Sequence, residues 1–425
     1  MRSEVSPSSS APAKAVLMSG MMVLLMLMGS ASAQSFSVVY DFKGTAWGDG
    51  GLPNSALTAD SAGNLYGTTS LGGKYDFGTV FELPVSGGEK ILHHFTGGWD
   101  GGYPGSALAL DPSGNVYGTT WAGGNLLCGD IGCGVVFRLS PQGIEKVLHT
   151  FTGNDDGAFP LGGVIRDSTG NLYGTASGGG TQTGDCAGFL GCGVVFKLDT
   201  ASHMSTLYRF SGAPDGLGPA NSLTRDAAGN LYGTTRSGGD TACGLHGCGV
   251  VFKLDGNGRE TVLHAFGGGS DGTTPDQGPL PLDAASNLYG TTAYGGDLGC
   301  TLYSAGCGVV FKLDPTGNET VLYTFHGAAD GGFPFGGVIL DSKGNLYGTA
   351  SAGGTTGGSC FTSGCGVVFK LSPSGEETVL HSFQFTDGDI PSGTLLLHKG
   401  YLYGTAAVGG HANPAYDGTV FRLRP

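Results

Sequence analysis

Ten cysteines stand in five close pairs: Cys128 with Cys133, Cys186 with Cys192, Cys243 with Cys248, Cys300 with Cys307, and Cys360 with Cys365. Thiols at this spacing either oxidise to disulfides or ligate a soft metal. Zinc would need two further ligands per pair, and only His246 lies inside one of these loops, so the pairs read as local disulfides. In the chain-entropy model each short bridge adds about 2 kcal/mol and chiefly stiffens its loop tip.

Asp49, Asp100, Asp156, Asp215, Asp271, Asp330 and Asp387 head seven Asp-Gly-x-x-Pro turns. A ring of such carboxylates could attract a cation such as Ca2+. Asp before Gly is also ordinary turn chemistry, its side chain accepting from nearby backbone N–H groups, and that structural role is the reading taken, with no metal site and no cofactor assigned. A second series, Asp60, Asp111, Asp167, Asp226, Asp283 and Asp341, precedes another turn and reads as structural. His93, His149, His264 and His381 share one repeat position with Tyr40, Tyr208 and Tyr323. Equivalent positions on successive units of a ring point apart, so these rings cannot converge on one substrate and read as half-buried polar aromatics. No Ser-His-Asp arrangement, His-rich metal cluster or nucleotide loop appears, so no catalytic residue is assigned; an isolated carboxylate pair stays open, because the sequence does not reveal which loops meet.

The elements that must position these residues are set by repetition. Asn64-Leu65-Tyr66-Gly67-Thr68 returns with copies beginning at Asn115, Asn171, Asn230, Asn287, Asn345 and Tyr401, at intervals of 51, 56, 59, 57, 58 and 56 residues. The period lies just above the roughly 50 residues of kelch-type propeller blades. Each unit holds four short runs rich in β-branched and aromatic residues, bounded by Gly, Asp, Asn or Pro, which predicts four antiparallel strands per unit. The chain begins with Phe36–Phe42, a fourth-strand sequence, and ends with Gly418–Leu423, a third-strand sequence. Pairing the two closes an all-β, seven-bladed propeller in which the N-terminal strand completes the last blade and no long edge stays open. Two columns of phenylalanine, Phe81 to Phe421 in third strands and Phe42 to Phe383 in fourth strands, are the predicted core.

The repeated Gly-Asn-Leu-Tyr-Gly-Thr-Thr, the following Gly-Gly loop and Gly-Val-Val-Phe-Lys-Leu resemble the GloVer tandem-repeat family of secreted bacterial proteins over essentially the whole mature chain. The resemblance implies an extracellular propeller with no established activity and no catalytic residues to carry over. Such proteins often end in a surface-sorting segment; this sequence stops at Pro425, directly after a strand, so free secretion or a periplasmic home is the expectation.

Arg2 and Lys14 precede an apolar stretch from Ala15 to Met28, and Ala31-Ser32-Ala33 supplies small residues for cleavage, so residues 1–33 read as a signal peptide and 34–425 as a single propeller domain. No membrane span is expected once the signal is removed. The net charge of -14, with Lys and Arg scattered, excludes nucleic acid as a partner. A monomer is expected.

Binding residues are sought where the repeat is broken. Trp47 and Trp99 lie beside Asp49 and Asp100 in the turns entering blades one and two, Trp121 lies in a loop of blade two, and Tyr103 takes the turn position of Leu52, Phe159 and Phe333. Flat rings beside carboxylates suit a sugar; the competing reading is that the rings cover glycine-rich loops and pack between blades. The expected function is that of a secreted, non-catalytic binding or interaction propeller whose partner is an extracellular glycan or protein. The alternative is a carbohydrate-active hydrolase or lyase on the same scaffold.

Overall fold

Short runs dense in Val, Phe, Thr and Tyr, cut by Gly and Asn at fixed intervals, pair as brief antiparallel strands. The computed structural model describes residues 35–425 except 45–47, 188–189, 245, 276–277, 301, 361 and 412–416. The expected signal peptide and Trp47 lie outside the described residues. Residues 34–425 form one compact unit.

Seven antiparallel blades follow one another around a ring. In blade two the strands run from the inner to the outer position as Ala109–Leu110, Val116–Thr120, Val135–Leu139 and Glu145–Thr150. Blade five departs from four strands: its inner run is reduced to a single bridge between Leu282 and Leu288. Pro281 lies in that run and has no N–H to donate to a ladder. The last blade joins both chain ends. Phe36–Asp41 pairs antiparallel with Thr419–Leu423, placing Phe36 opposite Leu423 and Asp41 opposite Thr419. A bulge between Val38 and Tyr40 repeats the register shift of the other outer strands, such as that at Val80/Phe81, so the N-terminal strand is geometrically one of the set.

The core consists of one contact made seven times. A fourth-strand Phe of each blade meets the third-strand Phe of the next edge to face, as in Phe95 on Phe137 and Phe210 on Phe252 at 5.2 and 5.1 Å between centroids. The closing pair, Phe42 on Phe81, has the same geometry at 5.2 Å, and all fourteen rings are fully buried. The third-strand ring lies over the glycine opposite it in the second strand: a Cβ on Gly67 would stand 2.5 Å from Phe81 Cζ, and one on Gly118 would stand 2.7 Å from Phe137 Cζ. This explains a glycine in the middle of a strand.

The rest of the motif is organised by the second Asp series. Asp111 accepts from the backbone N–H and side-chain amide of Asn115 and from the hydroxyl of Tyr117, at 2.8–2.9 Å. Burial alone raises the Asp111 pKa, but the bonds from Asn115 and Tyr117 outweigh it and hold the carboxyl below its ordinary value. All five cysteine pairs are disulfides, each within its own blade, and no cysteine is free.

Candidate functional site

Every blade junction sets an outer-strand His or Tyr beside the Asp of the following turn, and at five of the seven a Glu from the next outer strand joins them. His93 on the outer strand of blade one meets Asp100 of the following turn at 3.2 Å, and Glu145 from the outer strand of blade two completes the group. Asp100 also accepts from the Thr96 backbone N–H and hydroxyl. The same aromatic-to-Asp bond recurs as His149 to Asp156, Tyr208 to Asp215, Tyr323 to Asp330 and His381 to Asp387, at 2.8–3.1 Å. At the closing junction the Tyr40 hydroxyl lies 3.0 Å from both Asp49 and Glu89.

The Asp-Gly-x-x-Pro carboxylates therefore turn toward the outer strands. None lines the central channel, and those of Asp49 and Asp100 are engaged by their own scaffold. The histidines and tyrosines are distributed one per junction. Sequence reasoning missed the third partner: Glu89, Glu145, Glu260, Glu319 and Glu377 each stand six residues before the outer-strand Phe. Each keeps one carboxyl oxygen buried without a hydrogen-bond partner among the described residues. Burial pushes the carboxyls of Glu145, Glu260, Glu319 and Glu377 up to about 7, with the neighbouring Asp adding to the shift. Glu89, beside Asp49, reaches about 9. Two of the clusters, His93 with Asp100 and Glu145 and His264 with Asp271 and Glu319, bring three metal-ligating atoms within 4.8 Å of one another.

The second feature is the channel. Inner-strand segments of all seven blades enclose a cavity of about 670 Å3 that Tyr103 and Trp121 border. Half-buried rings form a row that reaches the cavity through Tyr103 and Trp121: Phe77 to Tyr103 at 5.3 Å, Tyr103 to Trp121 at 6.2 Å, and Trp121 to Phe159 at 5.9 Å. Tyr103 and Trp121, singled out in the sequence, are thus brought together; Phe77 and Phe159 join them and were not foreseen. Trp99 is 76 % exposed, and no ring contact ties it to the row among the described residues. Tyr103 and Phe159 have positive φ, as do Leu52, Thr274, Phe333 and Ile390 in the same turn position before proline. Backbone strain of this kind often marks a binding site. Its recurrence in six turns makes it a property of the scaffold instead, held by bonds such as Tyr103 N–H to Phe77 O at 2.8 Å.

Comparison with known proteins was decisive for the family. The profile of the Gloeobacter/Verrucomicrobia repeat matches residues 27–244, 128–361 and 298–425. The chain belongs to the Gloeobacter/Verrucomicrobia repeat family. No curated protein matches this repeat protein. Among solved structures, a virginiamycin B lyase from Staphylococcus aureus superposes with a TM-score of 0.52 at 11 % identity, covering 92 % of this chain and 100 % of the other. A luciferin-regenerating enzyme gives a TM-score of 0.44 at 12 % identity, covering 92 % and 95 %. At such identities the likeness to the lyase establishes the fold alone.

Proposed function

We propose that this repeat protein is a non-catalytic binding propeller acting outside the cytoplasm, in the periplasm or after secretion, and that its ligand is a glycan seated on the Phe77, Tyr103, Trp121 and Phe159 row. The observation that carries this reading is the composition of the cavity beside the row. Among the described residues its lining offers hydroxyls, amides and two arginines, Arg166 and Arg236, but no Asp, Glu, His or Cys. Such a surface can hydrogen-bond sugar hydroxyls while a ring covers an apolar sugar face, and its described residues include no group suited to general acid or base work. The Asp-Gly-x-x-Pro carboxyls face the blade junctions instead. Five disulfides support an oxidising compartment.

The test is a glycan array followed by a turnover assay on every ligand that binds. Binding without turnover is expected; turnover would favour the hydrolase or lyase alternative. Trp121→Ala should weaken binding by about 2 kcal/mol, roughly thirtyfold, because a ring at the centre of the row is lost. Trp99→Ala separates the exposed Trp99 from the row and should bind as the parent does. Parent-like affinity of Trp121→Ala for every ligand would remove the row as the site.

A further inference from the structure

Because seven junctions repeat one arrangement, a junction that departs from it carries information. At three of the four histidine junctions the ring closes on its Asp: His93 on Asp100 at 3.2 Å, His149 on Asp156 at 3.0 Å and His381 on Asp387 at 3.1 Å. His264 does not. Its Nε2 stands 3.9 Å from Asp271 Oδ2 and 3.8 Å from Glu319 Oε2, nearly midway between two carboxylates and bonded to neither.

These groups are also enclosed. The His264 and Glu319 side chains are only 19 % and 11 % exposed. His264 Nε2 is buried with no hydrogen-bond partner among the described residues, unlike the other three outer-strand histidines, and Glu319 Oε1 is unpaired as in the other junction glutamates. Leaving a ring nitrogen and a carboxyl oxygen unpaired in a buried site is costly, and something must compensate. The three donor atoms lie within 4.8 Å of one another. A tetrahedral ion held at roughly 2.0–2.2 Å from each would need donor-to-donor edges of about 3.3–3.6 Å, so the 3.9 and 3.8 Å edges from His264 Nε2 exceed that range by only about 0.2–0.3 Å. The Gly267 N–H donates to Asp271 Oδ2 at 2.6 Å and orients that carboxylate, as an outer partner of a ligand does.

We propose that His264, Asp271 and Glu319 form a divalent metal site of the zinc class that joins the outer strand of blade four to the outer strand of blade five. One imidazole nitrogen with two carboxylates suits a borderline ion such as Zn2+ better than Ca2+, which takes an all-oxygen shell of six to eight ligands. Five of the other six junctions lack the set. Met204 stands in the Glu position at the His149 junction, and Phe36 stacks on His381 at 3.6 Å where a Glu would reach it. Tyrosine replaces histidine at three more. The His93, Asp100 and Glu145 group has the donors, but its histidine is already bonded to an Asp that also accepts from Thr96.

The experiment uses tag-free mature protein stripped with a chelator, then supplied with Zn2+ and followed by native mass spectrometry and thermal unfolding. The parent should retain Zn2+ and melt at a higher temperature with the ion than without it. His264→Ala and Glu319→Gln should weaken retention by roughly a hundredfold or more and abolish the thermal shift, while His149→Ala behaves as the parent. Glu319→Gln keeps the size of the side chain, and an unchanged circular dichroism spectrum without metal separates loss of the ion from loss of the fold. Failure of the parent to retain Zn2+, or retention unaffected by both ligand substitutions, overturns the proposal.

Discussion

Ring closure can be tested at a single side chain. Phe42 comes from the first strand of the propeller and is fully buried against Phe81, with Leu57 and Leu65 in the same core cluster. Truncating a fully buried Phe to Ala typically costs about 3–5 kcal/mol, the sum of lost transfer energy and the cavity left behind. Phe210 makes the same edge-to-face contact with Phe252 at 5.1 Å, between blades three and four, in mid-chain. If the two chain ends form a junction equivalent to the others, Phe42→Ala and Phe210→Ala should lose equal stability within error in urea unfolding followed by circular dichroism. Deleting residues 35–44 goes further. It removes Phe42 and Phe36, which packs on Phe383 and Phe421, and it uncovers the Thr419–Leu423 edge. Against a typical total stability of about 5–15 kcal/mol, that loss should bring the whole domain close to unfolding. A synthetic peptide of the deleted residues, added in excess, should restore much of it by strand addition. An unchanged melting temperature on deletion, or a Phe42→Ala variant as stable as the parent while Phe210→Ala is crippled, would refute the closure argument.

Two further predictions concern the junctions. The Glu260 carboxyl is pushed up to about 7 from 4.5, so it binds its proton more tightly when folded; its contribution is complete below about pH 4.5 and is lost as the pH rises through 7. Glu145 and Glu377 act in the same window, Glu89 extends it to about 9, and the lowered Asp111 and Asp226 act oppositely, losing their contribution as the pH falls below their ordinary value. With metal chelated, the melting temperature should therefore decline from about pH 5 to 8, and Glu260→Gln should decline less over that interval; parallel profiles would sink the assignment. The glycine before each third strand packs on the proline of the next turn. Gly134, at φ +89, would place a Cβ 2.7 Å from Pro160 Cδ, whereas Gly129, at φ +91, has open space around it. Both alanine variants incur the left-handed backbone strain of about 1–3 kcal/mol, and Gly134→Ala should lose measurably more, which equal melting temperatures would contradict.

The blade pattern was legible because it is local. A glycine, two turns and four apolar runs recur within one period, and the complementary ends Phe36–Phe42 and Gly418–Leu423 stated the closure. What was hidden lies between repeats. Asp100 and Glu145 belong to different elements 45 residues apart in sequence, and nothing near Glu145 distinguishes it from a solvated residue at a strand end. The signal existed in the columns: His or Tyr accompanies Asp at all seven junctions, and Glu fails only where Met204 and Phe36 stand. The tryptophans show the opposite limit. Trp99 and Trp121 looked alike as breaks in the repeat, yet Trp99 stands exposed and Trp121 packs into a row of rings, because turn position and side-chain direction decide exposure.

Repetition also constrains where specificity can be carried. The fourteen phenylalanines, the glycines beneath half of them and the junction Asp residues all serve contacts repeated around the ring, so a change at any one disturbs a buried interface. The residue two after the anchor glycine's threonine varies from blade to blade. Ser70, Trp121, Ser177, Arg236, Ala293, Ser351 and Ala407 occupy it in successive blades, spanning small, aromatic and cationic side chains. Three of them, Ser70, Trp121 and Arg236, border the channel cavity. The serines there donate to the backbone of the following turn, Ser70 to Pro104 O, Ser177 to Phe159 O and Ser351 to Pro391 O, and blades two and four replace that bond with a larger side chain at the channel mouth. Exchanging Trp121 with the serine of its neighbouring blades should thus alter which ligand is held while leaving the propeller intact, and the same exchange at any junction Phe should do the reverse.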